Sequence, residues 1–297
     1  MLARSYALIG AAAVTVVAVG AGLWVDVGAD GSADRRRPPD LSAEAELWRA
    51  DETRQIMIVL TNHESVPVFV ASVQLVSPDF EEVPASRHDR ELSTGGMVRV
   101  PLEAKYGAGR CGGEVRTKAR PAWARVWVRS ADGSTAAYTY PLPDPHKYLD
   151  TLLRQDCERE KIDSTVKLAY RGSWEPARTA SGDEAVRIRL RMRLVDPAAT
   201  VDLTDETGSV IFNVGAAVPD DSRPHVDASA PHTEPVLEFT NNRCDLHAVA
   251  ESKTTFIFRF YFSIDGGQPI SRALVPDNTG VDALRALINR GCHLGGQ

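Results

Sequence analysis

The chain has few cysteines and lacks several common enzymatic motifs. Only four cysteines occur in 297 residues, and none has the C-x2-C spacing typical of structural zinc sites. The G-x-S-x-G, H-E-x-x-H and phosphate-loop signatures are also missing. We therefore expect no cofactor and no metal, and interpret the protein as non-enzymatic. An envelope hydrolase with an unrecognised Ser/His/Asp triad stays open as an alternative, because triad members meet only in space.

The net charge of the chain bears on its partners, and its length bears on the number of domains. The formal net charge is −6 at pH 7, which gives no general attraction to nucleic acid, so no nucleic-acid partner is expected. Hydrophobic residues make up 43% of the chain and charged residues 25%, as in ordinary globular proteins. A chain of this length is long for one core, so two domains are predicted.

An uncharged apolar segment lies near the N-terminus. Residues 5–25 contain no acidic or basic side chain, and about 20 apolar residues are the length of a membrane-spanning helix. The segment predicts a single-pass anchor, or signal-anchor, in the lipid bilayer of a cell membrane. The alternative is a signal peptide cleaved near Ala18–Gly20, which would release a secreted protein. No cysteine lies near the end of the segment, which excludes a lipoprotein anchor.

Two later stretches repeat one arrangement of residues. Residues 110–157 and 243–292 each begin with Arg-Cys, continue through an Asp-Gly turn and a Pro-Asp step, and end in a leucine-bearing helix with a second cysteine. The alignment is gap-free from residues 110–144 against residues 243–277. This repetition indicates an internal duplication, and it predicts one disulfide in each copy. The predicted pairs are Cys111 with Cys157 and Cys244 with Cys292.

The basic residues and the cysteines indicate opposite membrane topologies. Arg35, Arg36 and Arg37 follow the apolar segment, and the positive-inside rule would place the following residues in the cytoplasm. Disulfides, in contrast, persist outside the cytosol and are rare within it. We give the cysteines more weight and predict that the body of the protein is extracytoplasmic.

Many short apolar segments separated by turn residues predict a mainly β fold. We expect a transmembrane helix followed by two tandem immunoglobulin-like β-sandwiches, each with one short C-terminal helix and one disulfide. In those helices, leucine or isoleucine at positions i, i+3 and i+4 forms one apolar face. The predicted division is a cytoplasmic stub (1–4), the anchor (5–25), a flexible polar stalk (26–42), and two domains (43–160 and 161–297).

One predicted strand of the second domain carries an alternating pattern of arginines. In residues 186–194, apolar and arginine side chains alternate strictly, so the arginines share one face of the strand. One interpretation of that face is a site for an anionic ligand. The mildly acidic composition favours the other interpretation, a solvated face whose arginines pair with acids on neighbouring strands. The candidate binding residues are Arg187, Arg189, Arg191 and Arg193.

Two further clusters carry alternative interpretations. Trp123 and Trp127 alternate with arginines and suggest an exposed ladder, but the duplication aligns them with Phe256 and Phe260, which favours the core. Several acidic residues could gather a calcium ion, although their spacing is not that of a calcium loop. These acids are Asp196, Asp202, Asp205, Glu206, Asp220, Asp221 and Asp227.

The features together predict a membrane-anchored, extracytoplasmic interaction or structural protein of the bacterial cell envelope. Its expected partner is another envelope protein or a wall polymer. The arginine face offers an alternative function, in which the second domain binds an anionic ligand.

Overall fold

The computed structural model of the protein describes residues 37–47, 54–217, 223–244 and 254–292. The described residues from Pro39 onward belong to one compact unit, which Arg37 and Pro38 precede. Within the described ranges, neither helix has the length and apolarity to cross a membrane. The predicted anchor at residues 5–25 lies outside those ranges.

In the described ranges, the first half of the compact unit contains seven strands. They form a three-stranded sheet in the order β1-β2-β5 and a four-stranded sheet in the order β4-β3-β6-β7, with antiparallel pairing throughout. The two sheets enclose one hydrophobic core. We call this half the N-terminal sandwich. Its strands are β1 (Leu41–Leu47), β2 (Gln55–Asn62), β3 (Val68–Val76), β4 (Ser86–Leu92), β5 (Arg99–Lys105), β6 (Ala122–Arg129) and β7 (Thr135–Leu142).

The second half, the C-terminal sandwich, encloses a separate core rich in phenylalanine. One of its sheets has strand β9 at its centre, with β8 on one side and β13 and β14 on the other; β11 follows β14. The second sheet has the order β12-β10-β15-β16. The strands are β8 (Val166–Arg178), β9 (Glu184–Leu194), β10 (Val201–Thr207), β11 (Phe212–Ala216), β12 (His225–Val226), β13 (His232–Thr233), β14 (Val236–Asn241), β15 (Phe258–Ile264) and β16 (Ile270–Leu274).

Helix α1 (Tyr148–Thr165) joins the two sandwiches and continues into β8 without a loop. Its N-terminal part contributes Leu149, Leu152 and Leu153 to the first core, as the i, i+3, i+4 spacing predicts. Ile162, near its C-terminus, belongs to the second core. The helix is eight residues longer than the segment predicted up to Cys157, and the predicted domain boundary after residue 160 lies inside it.

Helix α2 (Asn278–Gly291) closes the second core with Leu284, Leu287 and Ile288, which are the three residues of its predicted apolar face. The repeated Pro-Asp step has the same role before both helices. Asp144 accepts hydrogen bonds from the backbone N–H groups of Tyr148 (2.8 Å) and Leu149 (2.7 Å). Asp277 accepts one from the N–H of Gly280 (2.9 Å). Each aspartate therefore satisfies N–H groups that have no partner within their helix.

Both predicted disulfides are present. Cys111 is bonded to Cys157 within α1, and Cys244 is bonded to Cys292 at the end of α2. Each bond therefore attaches a helix to the sandwich that it covers. The mainly β fold predicted from the sequence is likewise confirmed.

Candidate anion-binding surface

Strand β9 presents its arginines on the outer face of the central sheet of the C-terminal sandwich. Residues 186, 188, 190, 192 and 194 of this strand are buried, whereas the arginines between them are exposed or half-buried. The arginines point outward because successive side chains on a strand alternate between faces. The structure therefore places Arg187, Arg189, Arg191 and Arg193 on one surface, as the alternation predicts.

Strand β8 adds two cations that the sequence analysis missed. Lys167 lies directly opposite Arg193 in the antiparallel pair, and Arg171 lies opposite Arg189. All four side chains are exposed. The signal was present in the sequence, because Lys167 follows Val166 and Arg171 follows Tyr170 in a short alternating pattern. We define the basic face as the outward side chains of Lys167, Arg171, Arg187, Arg189, Arg191 and Arg193.

Two of the four predicted arginines are paired with carboxylates. Arg187 donates to Glu238 on β14 from Nε (2.8 Å) and Nη2 (2.7 Å), and Arg191 donates from Nε to Glu234 (2.6 Å). The hydrogen bond from Arg191 holds the pKa of Glu234 below its ordinary value, and the positive charges of Arg189 and Arg171 act in the same direction. Glu234 therefore faces three guanidinium groups. The interpretation that the arginines pair with acids of the protein itself therefore holds for Arg187 and Arg191.

The other four cations of the basic face have no ion-pair partner in the part of the chain that the structure describes. Lys167 donates only to the backbone carbonyl of Asp163 (3.0 Å), a neutral acceptor. Like charges directly opposite each other on neighbouring strands destabilise a sheet. The Lys167–Arg193 and Arg171–Arg189 positions therefore concentrate positive charge at two points of the basic face, and Glu234 offsets part of the charge at the Arg171–Arg189 point. At about 3.3 Å per residue, these points lie roughly 13 Å apart along the strands.

The expectation that Trp123 and Trp127 lie in the core is wrong. Strand β6 buries the small apolar side chains on its other face, and Trp123 is 39% exposed on the outside of the N-terminal sandwich. Strand β15 buries Phe258, Phe260 and Phe262. The gap-free alignment pairs those three phenylalanines with outward-facing positions of β6. A shift of one residue exchanges the two faces of a strand, which explains the error.

The acidic residues considered for calcium are spread over several loops and strands. In the described ranges, no group of three or more His, Cys, Asp or Glu side chains is placed to hold a metal ion. Asp202 and Asp227 instead lie on either side of His225, at 2.7 Å from Nδ1 and 3.2 Å from Nε2. Asp220 and Asp221 lie outside the described residues.

Two histidines lie near serine hydroxyls. Both ring nitrogens of His225 face carboxylates, and the hydroxyl of Ser229 donates to Asp227 rather than to the ring. His63 Nε2 lies 2.8 Å from the Ser42 hydroxyl, and the neighbouring Glu64 carboxylate accepts from the backbone N–H of Asp40. Neither cluster has the serine–imidazole–carboxylate order in which a base activates a nucleophile.

No family model matches the chain, and no curated protein matches it. Similar solved structures include a red sea bream transglutaminase (8% identity, TM-score 0.21) and the BSP domain of a biofilm-associated protein (9%, 0.22). A third is a Streptomyces avermitilis α-L-rhamnosidase complexed with L-rhamnose (11%, 0.17). The matches cover 81%, 87% and 82% of this chain but only 32%, 62% and 24% of those chains. The chain thus spans less than two thirds of the length of each structure.

Proposed function

We propose that the protein is a membrane-anchored, extracytoplasmic binding module of the bacterial cell envelope. In this proposal, two tandem immunoglobulin-like sandwiches hold a linear anionic wall polymer on the basic face. The observation that carries it is the presence of two pairs of directly opposed cations without an ion-pair partner among the described residues, Lys167 with Arg193 and Arg171 with Arg189. Binding, rather than catalysis, is the function assigned to this surface.

The electrostatics of the basic face favour an anionic ligand. Six cations and three carboxylates (Glu175, Glu234 and Glu238) share the face, although the whole chain has a net charge of −6. General adsorption of a polyanion to the protein is disfavoured by that net charge. Attraction is therefore expected where cations are concentrated, as on this surface, where an anion neutralises two opposed cations together and relieves their repulsion.

The shape of the face favours a polymer over a small ligand. The outward side of a β-sheet is open and lacks the concavity that buries most of a small molecule. Two cation pairs roughly 13 Å apart match a chain that carries anionic groups at intervals along its length. A polymer engages both pairs at once, and the second contact is then intramolecular.

The compartment is consistent with such a ligand. The two disulfides suit an oxidising environment outside the cytosol. The apolar segment at residues 5–25 would keep the sandwiches at the membrane surface. Both features support the proposal that the basic face lies in the compartment of wall polymers.

Polyphosphate binding tests the proposal. The full-length protein in lipid nanodiscs is titrated with long-chain inorganic polyphosphate, and with orthophosphate as the monomeric comparison. We expect polyphosphate to bind, with affinity that falls as salt rises, and orthophosphate to bind far more weakly. The double variant Lys167→Gln/Arg193→Gln is expected to lose about tenfold in affinity, since each exposed ion pair contributes up to about 1 kcal/mol.

A matched control removes the same charges from the other sandwich. Arg90 and Lys118 are exposed and have no ion-pair partner among the described residues, so Arg90→Gln/Lys118→Gln should bind polyphosphate like the wild type. An equal loss of polyphosphate affinity in the two double variants would show that only the net charge of the protein matters, and would contradict the proposal. A different outcome would assign the basic face to a protein partner. In that case polyphosphate does not bind, and an acidic protein that crosslinks to the wild type does not crosslink to Lys167→Gln/Arg193→Gln.

A further inference from the structure

The N-terminal sandwich carries two tryptophans on an outer sheet surface. Trp123 is 39% exposed and Trp127 is half-buried, and both point away from the core. Among the described residues, neither indole has a ring contact or a hydrogen-bond partner. Large aromatic side chains usually lie in cores or interfaces, so two unpartnered indoles on one strand require an explanation.

A hydrogen-bonded group of polar side chains lies between the two indoles. Arg125, halfway between them on β6, donates from Nη1 to Gln74 Oε1 (3.3 Å) and Glu82 Oε1 (3.4 Å). Gln74 in turn donates from Nε2 to Glu82 (3.1 Å). The guanidinium and the carboxylate balance each other in charge. Gln74 is buried (6% exposed) and positions the other two side chains from beneath. We define the indole face as Trp123, Arg125, Trp127 and Glu82.

The neighbouring edge strand leaves the indole face open. On β7, Pro141 lies opposite Trp123, Thr139 opposite Arg125 and Ala137 opposite Trp127. All three β7 side chains are exposed and small or compact. A ligand can therefore approach the indoles from above and from the side of β7.

We propose that the indole face binds a neutral oligosaccharide that lies along strand β6. Sugar rings present apolar C–H faces that pack on indoles, and hydroxyl groups that exchange hydrogen bonds with guanidinium and carboxylate groups such as those of Arg125 and Glu82. Trp123 and Trp127 are four residues apart, which is roughly 13 Å on a strand and is the span of a short run of sugar rings. The balanced charge of Arg125 and Glu82 favours a neutral chain over a polyanion.

This site is separate from the basic face in both residues and ligand chemistry. It draws on strands β3, β6 and β7 of the N-terminal sandwich, whereas the basic face lies on β8 and β9. The oligosaccharide proposal therefore does not depend on the polymer proposal. A polymer built from sugars and anionic groups could engage both, but each site is tested alone.

The test uses three neutral trisaccharides, namely chitotriose, cellotriose and maltotriose. Each is titrated into the full-length protein in nanodiscs, and binding is measured by calorimetry. We expect at least one trisaccharide to bind and to change the tryptophan fluorescence of the wild type. Trp123→Ala and Trp127→Ala are each expected to lower the affinity for that trisaccharide at least tenfold.

Two further measurements separate loss of the site from loss of the fold. Val275 is 62% exposed on the C-terminal sandwich, so Val275→Ala removes exposed apolar surface elsewhere and should leave trisaccharide affinity unchanged. The two tryptophan variants should still unfold cooperatively, at temperatures well above that of the binding assay, because the indoles lie outside the core. The proposal is overturned if none of the trisaccharides binds, or if the double variant Trp123→Ala/Trp127→Ala binds like the wild type.

Discussion

Glu158 in helix α1 accepts two hydrogen bonds from Ser271, a residue 113 positions later in β16. The backbone N–H of Ser271 lies 3.1 Å from the carboxylate and its hydroxyl 2.8 Å. Arg154 donates to the other carboxylate oxygen at 2.7 Å. Glu158 is only 5% exposed. The helix that closes the first core is thus bonded through a buried charge to an edge strand of the second sandwich.

Replacing Ser271 with alanine should destabilise the protein, because a buried carboxylate would lose one of its donors. A hydrogen bond to a charged group contributes about 1.5–3 kcal/mol. We expect Ser271→Ala to lower the free energy of unfolding by about that amount in urea titrations followed by tryptophan fluorescence. Ser65 is exposed and has no hydrogen-bonded partner in the described ranges, so Ser65→Ala should leave stability unchanged. Equal stability of the two variants would contradict this role for Glu158.

The parts of the fold that the sequence predicted depend on local patterns. Helix faces such as Leu149, Leu152 and Leu153 follow from a period of 3.6 residues, and the disulfides follow from a repeated spacing. The faces of β6 could not be assigned this way. Trp123 and Trp127 alternate with Ala124 and Val126, so both faces of the strand carry apolar side chains, and only tertiary packing decides which face is buried.

The longest strand of the second sandwich was missed for a different reason. Strand β8 contains Gly172 and Pro176, residues that usually interrupt strands. Its pairing with β9 shifts register between Arg171 and Glu175, so the alternation of side chains is broken there. The arginines of β9 can therefore be recognised from the sequence, but the pairing that places cations of β8 opposite them cannot.

Gly280→Ala should destabilise the protein despite lying in a helix. Alanine is normally favoured over glycine in helices by about 1 kcal/mol. A β-carbon at position 280 would, however, lie 2.5 Å from Trp174 Cε2 and 2.7 Å from Pro276. Trp174 packs against Tyr170 and Phe239, so moving it disturbs the core. We expect a net loss of about 1–3 kcal/mol in the free energy of unfolding.

The comparison for Gly280→Ala is a second alanine substitution in the same helix. Asn289 is exposed on α2, so Asn289→Ala should raise stability by a few tenths of a kcal/mol through helix propensity alone. The emission maximum of tryptophan should shift only in Gly280→Ala. A stabilised Gly280→Ala variant with unchanged emission would show that Trp174 accommodates the methyl group.

The contribution of His225 to stability should decrease as pH rises. Hydrogen bonding with Asp202 and then Asp227 raises the pKa of His225 above its ordinary value of 6.5. The protonated ring therefore stabilises the folded state fully below pH 6.5, and this stabilisation is lost as pH rises through the raised pKa. We expect the difference in melting temperature between the wild type and His225→Gln to shrink from pH 5.5 to pH 9.

Removing the first carboxylate partner provides the control for His225. In Asp202→Asn, the strongest cause of the raised pKa is gone, so substituting His225 in that background should have a smaller pH-dependent effect. Because the ring is about two-fifths exposed, solvent screens the interaction and the whole effect should be small. A difference in melting temperature that stays constant over the pH range would show that His225 is not protonated in the folded protein.

The two disulfides should differ in accessibility although they close loops of similar length. Their sequence separations are 46 and 48 residues, which implies a similar stabilisation of about 4 kcal/mol for each on the chain-entropy estimate. Cys111 and Cys157 are buried, whereas Cys244 is exposed. Thiol–disulfide exchange requires the attacking thiolate to reach a sulfur atom. Dithiothreitol should therefore reduce Cys244–Cys292 first, as measured by alkylation and peptide mass mapping.

Unfolding the protein provides the control for this order of reduction. In denaturant, burial no longer protects Cys111 and Cys157, so both bonds should be reduced at similar rates. Once Cys244–Cys292 is open, α2 keeps its packing on the second core, the hydrogen bond from Asn241 to the Leu287 carbonyl and the Arg290–Glu184 ion pair, but no covalent link at its C-terminal end. Its amide protons should then exchange faster while those of α1 remain protected. If Cys111–Cys157 is reduced first in the folded protein, α1 opens more readily than α2, and burial of its cysteines does not determine the order of reduction.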